Sequence, residues 1–455
     1  METIILMLFV VGYLAITLEH KFKIDKLIPA LAMMALLWAV VALANMEVYD
    51  VNTDLRQLEP GNLENILLHH LGKTAEILVF LLGAMTIVEI IDYFDGFATI
   101  KGFIKTKSKR RLLWLFATLG FVLSAIIDNL TATIVLITIL QKVIHERETR
   151  MWFAGIIIIA TNAGGAWSPI GDVTTTMLWI ADKVSAAELV KHVLVPSIVC
   201  VVIPTLIASR YSAFKGNIDA DLGQEGASRS KYGAKMLYLG LGAIVFVPFF
   251  KTITHLPPYV GMMLSLALVA TFAEIYSSSK FSISSLDRGD SDEHSRHSPV
   301  HYSLSKIELP SILFFLGILM AVAALESLGM LFHFAGTLDK VMPMLGTESQ
   351  GGMVSDLVVL FLGMASAVID NVPLVAASIG MFSLGMDNPV WHFIAFSAGT
   401  GGSMLIIGSA AGVVAMGMEK IDFFWYLKKI AWLAFLGFIG GAIAFILIRN
   451  FLLNA

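Results

Sequence analysis

Twelve apolar segments, near 1–18, 27–45, 75–92, 112–141, 152–180, 191–208, 236–252, 258–275, 308–327, 355–384, 390–417 and 430–449, divide a chain of 455 residues. Runs such as ETIILMLFVVGYLAITL and IAWLAFLGFIGGAIAFILI each have roughly the 18–20 residues a helix needs to cross a bilayer core. Inside lipid the backbone must satisfy its own hydrogen bonds, so such segments are read as helices. Charged residues are only 15% of the chain, against about 25% in soluble domains. The expected fold class is an all-α polytopic membrane protein. A net charge of −4 says little about partners, but the sequence offers no basic helix or aromatic platform, so no nucleic-acid partner is expected. The single cysteine, Cys200, permits no intramolecular disulfide. The first segment has no basic residues before it and no small-x-small site after it, so it reads as a span rather than a signal peptide.

Four segments are longer than one crossing requires. Residues 112–141, 152–180, 355–384 and 390–417 each run to about 28–30 residues where about 20 suffice. Glycines and Pro169 crowd 162–172, and five glycines crowd 399–412, so 152–180 and 390–417 are expected to be two broken transmembrane helices. Orientation follows the Lys/Arg bias of short loops. Lys21, Lys23 and Lys26, then Lys101 to Arg111, place two loops in the cytoplasm, while the acidic stretch 46–73 lies outside. Segment 112–141 has basic residues on both flanks, which suits a re-entrant hairpin with its turn near Asp128-Asn129. Alternating the remaining segments makes 355–384 a second hairpin entering from the other face. Ten spans result, with both termini external.

The halves repeat. SAIIDN at 124–129 returns as SAVIDN at 366–371, and Gly164, Gly165 and Gly171 return as Gly401, Gly402 and Gly408 with the same internal spacing. LVFLLGAMTIVEI resembles ILFFLGILMAVAA further upstream. One copy entering from each side is an inverted-topology repeat, an architecture of secondary transporters whose ion sites lie at discontinuous helices near mid-membrane. The expected organisation is N-terminal spans and an external loop (1–70), a first repeat (71–208), a cytoplasmic loop (209–235), connecting spans with a polar cytoplasmic loop (236–305), and a second repeat (306–455).

The repeat also carries the chemistry. A carboxylate in hydrocarbon is costly unless it pairs, titrates or faces a cavity. Segments 355–384 and 390–417 contain no Lys or Arg, so the expected partners of Asp128 and Asp370 are mobile cations and protons. Asn129 and Asn371 follow them and offer hard amide oxygens, and helix ends at a hairpin tip leave carbonyls free. Na⁺ is therefore expected at Asp128, Asn129, Asp370 and Asn371. The broken helices add Asn162, Asp172, Thr174 and Thr175, with Thr400, Ser403 and Ser409 from the second copy. Ser124, Thr131 and Ser366 flank the tips. For any one of these hydroxyls, bonding back to the preceding helical turn competes with ion binding. Ser409 stands where Asp172 would repeat, so the site is expected to be asymmetric. Glu89, Asp92 and Glu326 read as interfacial polar residues. His294, His297 and His301 read as part of a solvated loop.

SAIIDNLTATIV, TNAGGAWSPIGDVTTTMLWIADK, SAVIDNVPLVAA and GTGGSMLIIGSAAGVVAMGME resemble the NhaD-type sodium/proton antiporters of the ion-transporter superfamily, over about 70 to 450. The resemblance implies a scaffold plus transport domain, a homodimer, elevator-like movement, and a role in sodium transport and pH homeostasis. It also implies that Asp128, Asn129, Asn162, Asp172, Thr174, Thr175, Asp370 and Asn371 matter for transport, with Ser124, Ser366 and Ser409 beside them. The cargo would be Na⁺, Li⁺ and H⁺, with no cofactor, in a plasma (bacterial inner) membrane. Two alternatives stand. A sodium-coupled carboxylate carrier of the same superfamily would have Ser-Asn-Thr tips without preceding aspartates. An intramembrane aspartyl protease would have a Gly-x-Gly-Asp string, and Ser168-Pro169-Ile170-Gly171-Asp172 lacks its first glycine.

Overall fold

The computed structural model describes residues 1–17, 24–52, 57–102, 104, 106–218, 232–284, 298–333, 354–368, 371–382 and 384–453. Asp370 and the histidine-bearing loop 294–297 lie outside the described residues. The chain opens with α1 (Glu2–Thr17) and α2 (Leu27–Leu43), followed by a two-stranded antiparallel hairpin of β1 (Val48–Asn52) and β2 (Gln57–Gly61). Helix α3 (Leu63–Tyr93) starts where the Asn62 side chain accepts the Glu64 amide at 2.8 Å, a standard N-cap. Next come α4 (Lys109–Ile127), α5 (Asn129–Val143), α6 (Arg147–Ala166), α7 (Val173–Ile180) and α8 (Ala186–Ala208). Helices α9 (Gly233–Thr254) and α10 (Pro258–Ser284) connect to α11 (Leu309–Ser327). The second series is α12 (Asp356–Ala365), α13 (Asn371–Met381), α14 (Pro389–Gly401), α15 (Ala410–Glu419) and α16 (Ala431–Ile448).

Among the described residues seven helices are long and apolar enough to cross a membrane, and α1, α2, α5, α12, α13 and α15 are shorter apolar helices. Large apolar side chains such as Leu6, Val10, Phe249, Leu264, Leu268 and Ile443 remain exposed, which suits contact with lipid. The chain is a helical multi-pass membrane protein.

Helix interruptions fall where glycine and proline crowd the sequence, but they are narrower than the sequence alone suggests. Residues 167–172 separate α6 from α7, and 402–409 separate α14 from α15. Between α4 and α5 only Asp128 is non-helical.

The packing repeats between halves. Helix α4 packs on α6 as α12 does on α14. Helix α5 packs on α15 and α13 on α7, so each half supplies the other's partner, while α6 and α14 touch across the centre. Individual contacts repeat as well. Ser124 Oγ donates to the Thr161 carbonyl at 2.5 Å, and Ser366 Oγ to the Ala398 carbonyl at 2.9 Å. A Cβ on Gly164 would run into the Phe121 carbonyl, and one on Gly401 into the Gly363 carbonyl. Only glycine admits backbones that close.

Two features depart from the sequence expectation. Helix α3 begins at Leu63, well before the span expected at 75, because its polar first turns extend the helix beyond the apolar stretch. The acidic stretch 46–73 contains the β-hairpin, so the chain is not wholly α. A lone hairpin is marginal in water; here β1 rests on α3 and α11, with Val48 buried.

Candidate functional site

Asp128 turns the chain between α4 and α5 with φ 73° and ψ 158°. For a residue with a Cβ that region costs about 1–3 kcal/mol. The carboxylate offsets part of this by capping α5, accepting the Thr131 amide and the Thr131 hydroxyl, each at 2.8 Å. Thr131 is thus tied to the aspartate directly.

The next residue, Asn129, is buried and donates from Nδ2 to Asn162 Oδ1 at 3.1 Å and to Asp172 Oδ1 at 3.4 Å. From the second half, Asn371 Nδ2 donates to Asp172 Oδ2 at 2.9 Å. The Thr174 hydroxyl donates to the same oxygen at 2.8 Å. Asn162 Nδ2 reaches Ser409 Oγ at 3.0 Å and the Ile158 carbonyl at 3.0 Å. Asn129 and Asn371, brought by two segments far apart in the chain, therefore meet on one carboxylate. Among the described residues no donor reaches the amide oxygen of either Asn129 or Asn371, so both remain available as hard ligands.

Beside this cluster lies a cavity of about 80 Å³, lined by Asp128, Asn129, Asp172, Thr176, Asn371 and Lys26 among others. Helices α5 and α13 start at Asn129 and Asn371, and α7 and α15 start at Val173 and Ala410, all four on this cavity. Helix N-termini carry partial positive charge, which eases the burial of carboxylates.

Other expected residues serve the scaffold of the site. Thr175 bonds to the Asp172 carbonyl at 2.9 Å, Thr400 to the Phe396 carbonyl at 2.6 Å, and Ser403 to the Thr400 carbonyl at 2.7 Å. Ser124 and Ser366 pin each first arm to its broken helix, as described above. Ser409 accepts the Gly412 amide at 3.2 Å, capping α15. Asp370 lies outside the described residues.

Sequence reasoning named Lys26 only as a loop charge that sets orientation, not as a residue of the site. Its ammonium sits 4.4 Å from the Phe314 ring centroid and its side chain reaches the cavity. Nothing local in the sequence links a lysine heading α2 to a tip a hundred residues on. Thr176 also lines the cavity, donating to the Pro169 carbonyl at 3.0 Å; the run of three threonines was its only signal.

A family model described as citrate transporter matches residues 13–391. Sodium/proton antiporter 1 of Arabidopsis thaliana is 39% identical over 98% of this chain and 72% of its own length. Sodium/proton antiporter 2 of the same plant is 37% identical over 98% of this chain and 99% of its own. The Na⁺/H⁺ antiporter NhaD of Vibrio cholerae is 30% identical over 93% of this chain and 87% of its own.

Proposed function

The chain belongs to the citrate-transporter family and, within it, to the NhaD-type sodium/proton antiporters, and from that membership we propose that it exchanges Na⁺, and also Li⁺, for H⁺. It is a transporter and not an enzyme. The observation that carries the reading is the Asp172 carboxylate receiving amides from both Asn129 and Asn371, beside Asp128 and a cavity.

Cation and protons compete for this site. With Asp128, Asp172 and Asp370 protonated, the loaded site is close to neutral. When Na⁺ binds through carboxylate and amide oxygens the protons leave, and the cation offsets the charge instead. Both loaded forms avoid a bare carboxylate in a low-dielectric interior, which permits alternating access.

The architecture we propose for this cycle is the inverted repeat, 71–208 and 306–455, with 1–70, 209–235 and 236–305 outside it. Hairpins 112–141 and 355–384 enter from opposite faces. Their swapped packing, α5 on α15 and α13 on α7, supports this arrangement. A transport domain then moves against a scaffold in an elevator-like step within a homodimer. The protein sits in the plasma (bacterial inner) membrane with both termini external and needs no cofactor.

The test is dequenching of a pH dye in everted vesicles on addition of Na⁺, Li⁺ or K⁺. Asp128→Asn and Asp370→Asn should each abolish the Na⁺ response while membrane abundance and melting temperature stay unchanged. Retained exchange in both variants sinks the assignment. The family description favours one second reading, a sodium-coupled carboxylate carrier. Labelled citrate uptake into proteoliposomes under a Na⁺ gradient would establish it.

A further inference from the structure

Away from the cavity, on the face that the Lys/Arg bias places in the cytoplasm, a groove of about 630 Å³ opens between the head of α4, the loop before α6, the end of α8 and the head of α16. Lys109, Lys428 and Lys429 bring three ammonium groups to it, and Trp152, Tyr211 and Trp432 form much of its wall. Lys428 and Lys429 are exposed and take no partner among the described residues. Two carboxylates share the lining. Glu146 is already engaged, accepting the Lys109 ammonium at 3.2 Å and the Thr149 hydroxyl at 2.7 Å. Glu148 lies on the same lining and is exposed. The ammonium groups outnumber the carboxylates, and the two that remain unpaired are adjacent.

The aromatic wall is continuous. Trp152 meets Tyr211 edge-on at 5.5 Å and Trp425 at 5.4 Å, and Tyr211 lies 6.4 Å from Trp432. Tryptophan and tyrosine rings of this kind gather at the headgroup level of a bilayer. Directly beyond Trp432, α16 presents Phe435, Leu436 and Ile443, all exposed, as a greasy track leading away from the lysines. Cationic groups at headgroup depth, an aromatic rim and an apolar track below are what a phospholipid of negative headgroup charge requires.

We propose that this groove binds an anionic phospholipid, with its phosphate against Lys428 and Lys429 and its acyl chains along α16. The site bridges the return of the first hairpin, at Glu146–Trp152, to the helix that closes the second half. A bound lipid would therefore tie together segments from both halves of the chain.

The experiment is native mass spectrometry of the whole purified protein titrated with phosphatidylglycerol or phosphatidylcholine, with inorganic phosphate as a competitor. Wild type should retain phosphatidylglycerol in preference to phosphatidylcholine. Lys428→Gln/Lys429→Gln should bind phosphatidylglycerol about thirtyfold more weakly, from the loss of two interfacial charges. Lys191→Gln, at the other end of α8, should not differ from wild type, and melting temperature checks that all variants are folded. Equal retention by the double variant, no preference between the two lipids, or displacement by free phosphate overturns the proposal. None of these readings depends on transport, so the lipid site can fail while the exchange function stands.

Discussion

Asp172 and Ser409 occupy matching places in the two halves and have the same backbone, φ −148° and ψ 150° against φ −147° and ψ 153°. Each is the last residue before a short helix. Their side chains differ in use. Ser409 caps α15 and accepts one amide, that of Asn162, whereas Asp172 makes no cap and instead gathers Asn129, Asn371 and Thr174. The same break thus brings a neutral hydroxyl in one half and a carboxylate in the other. The two backbones match, and the side chain at one position decides which of them presents a carboxylate to the asparagines.

The largest effect expected from this comparison is on transport. Asp172→Ser makes the first half resemble the second and should abolish Na⁺-dependent proton movement in everted vesicles. Adding Ser409→Asp to that variant moves the carboxylate across the pseudo-symmetric centre. Recovery of exchange would show that the halves are interchangeable, and continued inactivity would show that Asn371 and Thr174 are specific to the Asp172 side.

The ends of the broken helices offer a second comparison. The head of α6 is clasped to the end of α15 by Arg150, whose Nε lies 2.9 Å from the fully buried Glu419 carboxylate, helped by Arg147 donating to the Lys420 carbonyl at 2.8 Å. At the matching place, the head of α14 is clasped to the end of α7 by Asp387, which accepts the Ser185 amide at 2.6 Å and donates its own amide to the Lys183 carbonyl at 2.9 Å. Arg150→Ala strands a buried carboxylate and should cost about 3–5 kcal/mol in chemical denaturation. Asp387→Asn keeps the left-handed backbone there and loses only charge, so about 1 kcal/mol is expected.

Helix contact should respond alike in both halves. Gly164→Ala and Gly401→Ala each drive a methyl into a facing carbonyl and should destabilise by about 1–3 kcal/mol. A melting temperature lowered by only one of them would break the equivalence.

The smallest effect lies at Glu146. The Thr149 hydroxyl and then the Lys109 ammonium hold its carboxyl below the usual range. A lowered folded pKa stabilises above the unfolded value and loses that contribution as the pH falls through the acid range. Its side chain is 62% exposed, so water screens most of the effect. Glu146→Gln should change stability by less than about 0.5 kcal/mol at neutral pH.

Much of the fold could be read from residue order, for physical reasons. Helices in lipid leave few alternatives, so apolar length marked the spans. SAIIDN placed the first turn at Asp128, and the glycine runs placed both breaks. The β-hairpin escaped notice because its strands carry no clean alternation and gain their support from α3 and α11. The start of α3 escaped because polar helical turns outside lipid look like loop. Within the site, Asp172 and the asparagines stood out as acids and amides inside apolar segments. Which hydroxyls face the cavity did not, since a threonine at a helix break can equally bond to its own backbone, as Thr175 and Thr400 do.

Composition and repetition by themselves determined a helical membrane protein whose apolar segments are interrupted at polar and glycine-rich sequences, because hydrocarbon penalises every unsatisfied backbone group or charge. Only the tertiary structure decided that Asn129 and Asn371 share Asp172, that Ser409 takes the Asn162 amide, and that Lys26 reaches the cavity. Those are contacts between residues dozens to hundreds of positions apart, set by how helices pack and not by any local preference.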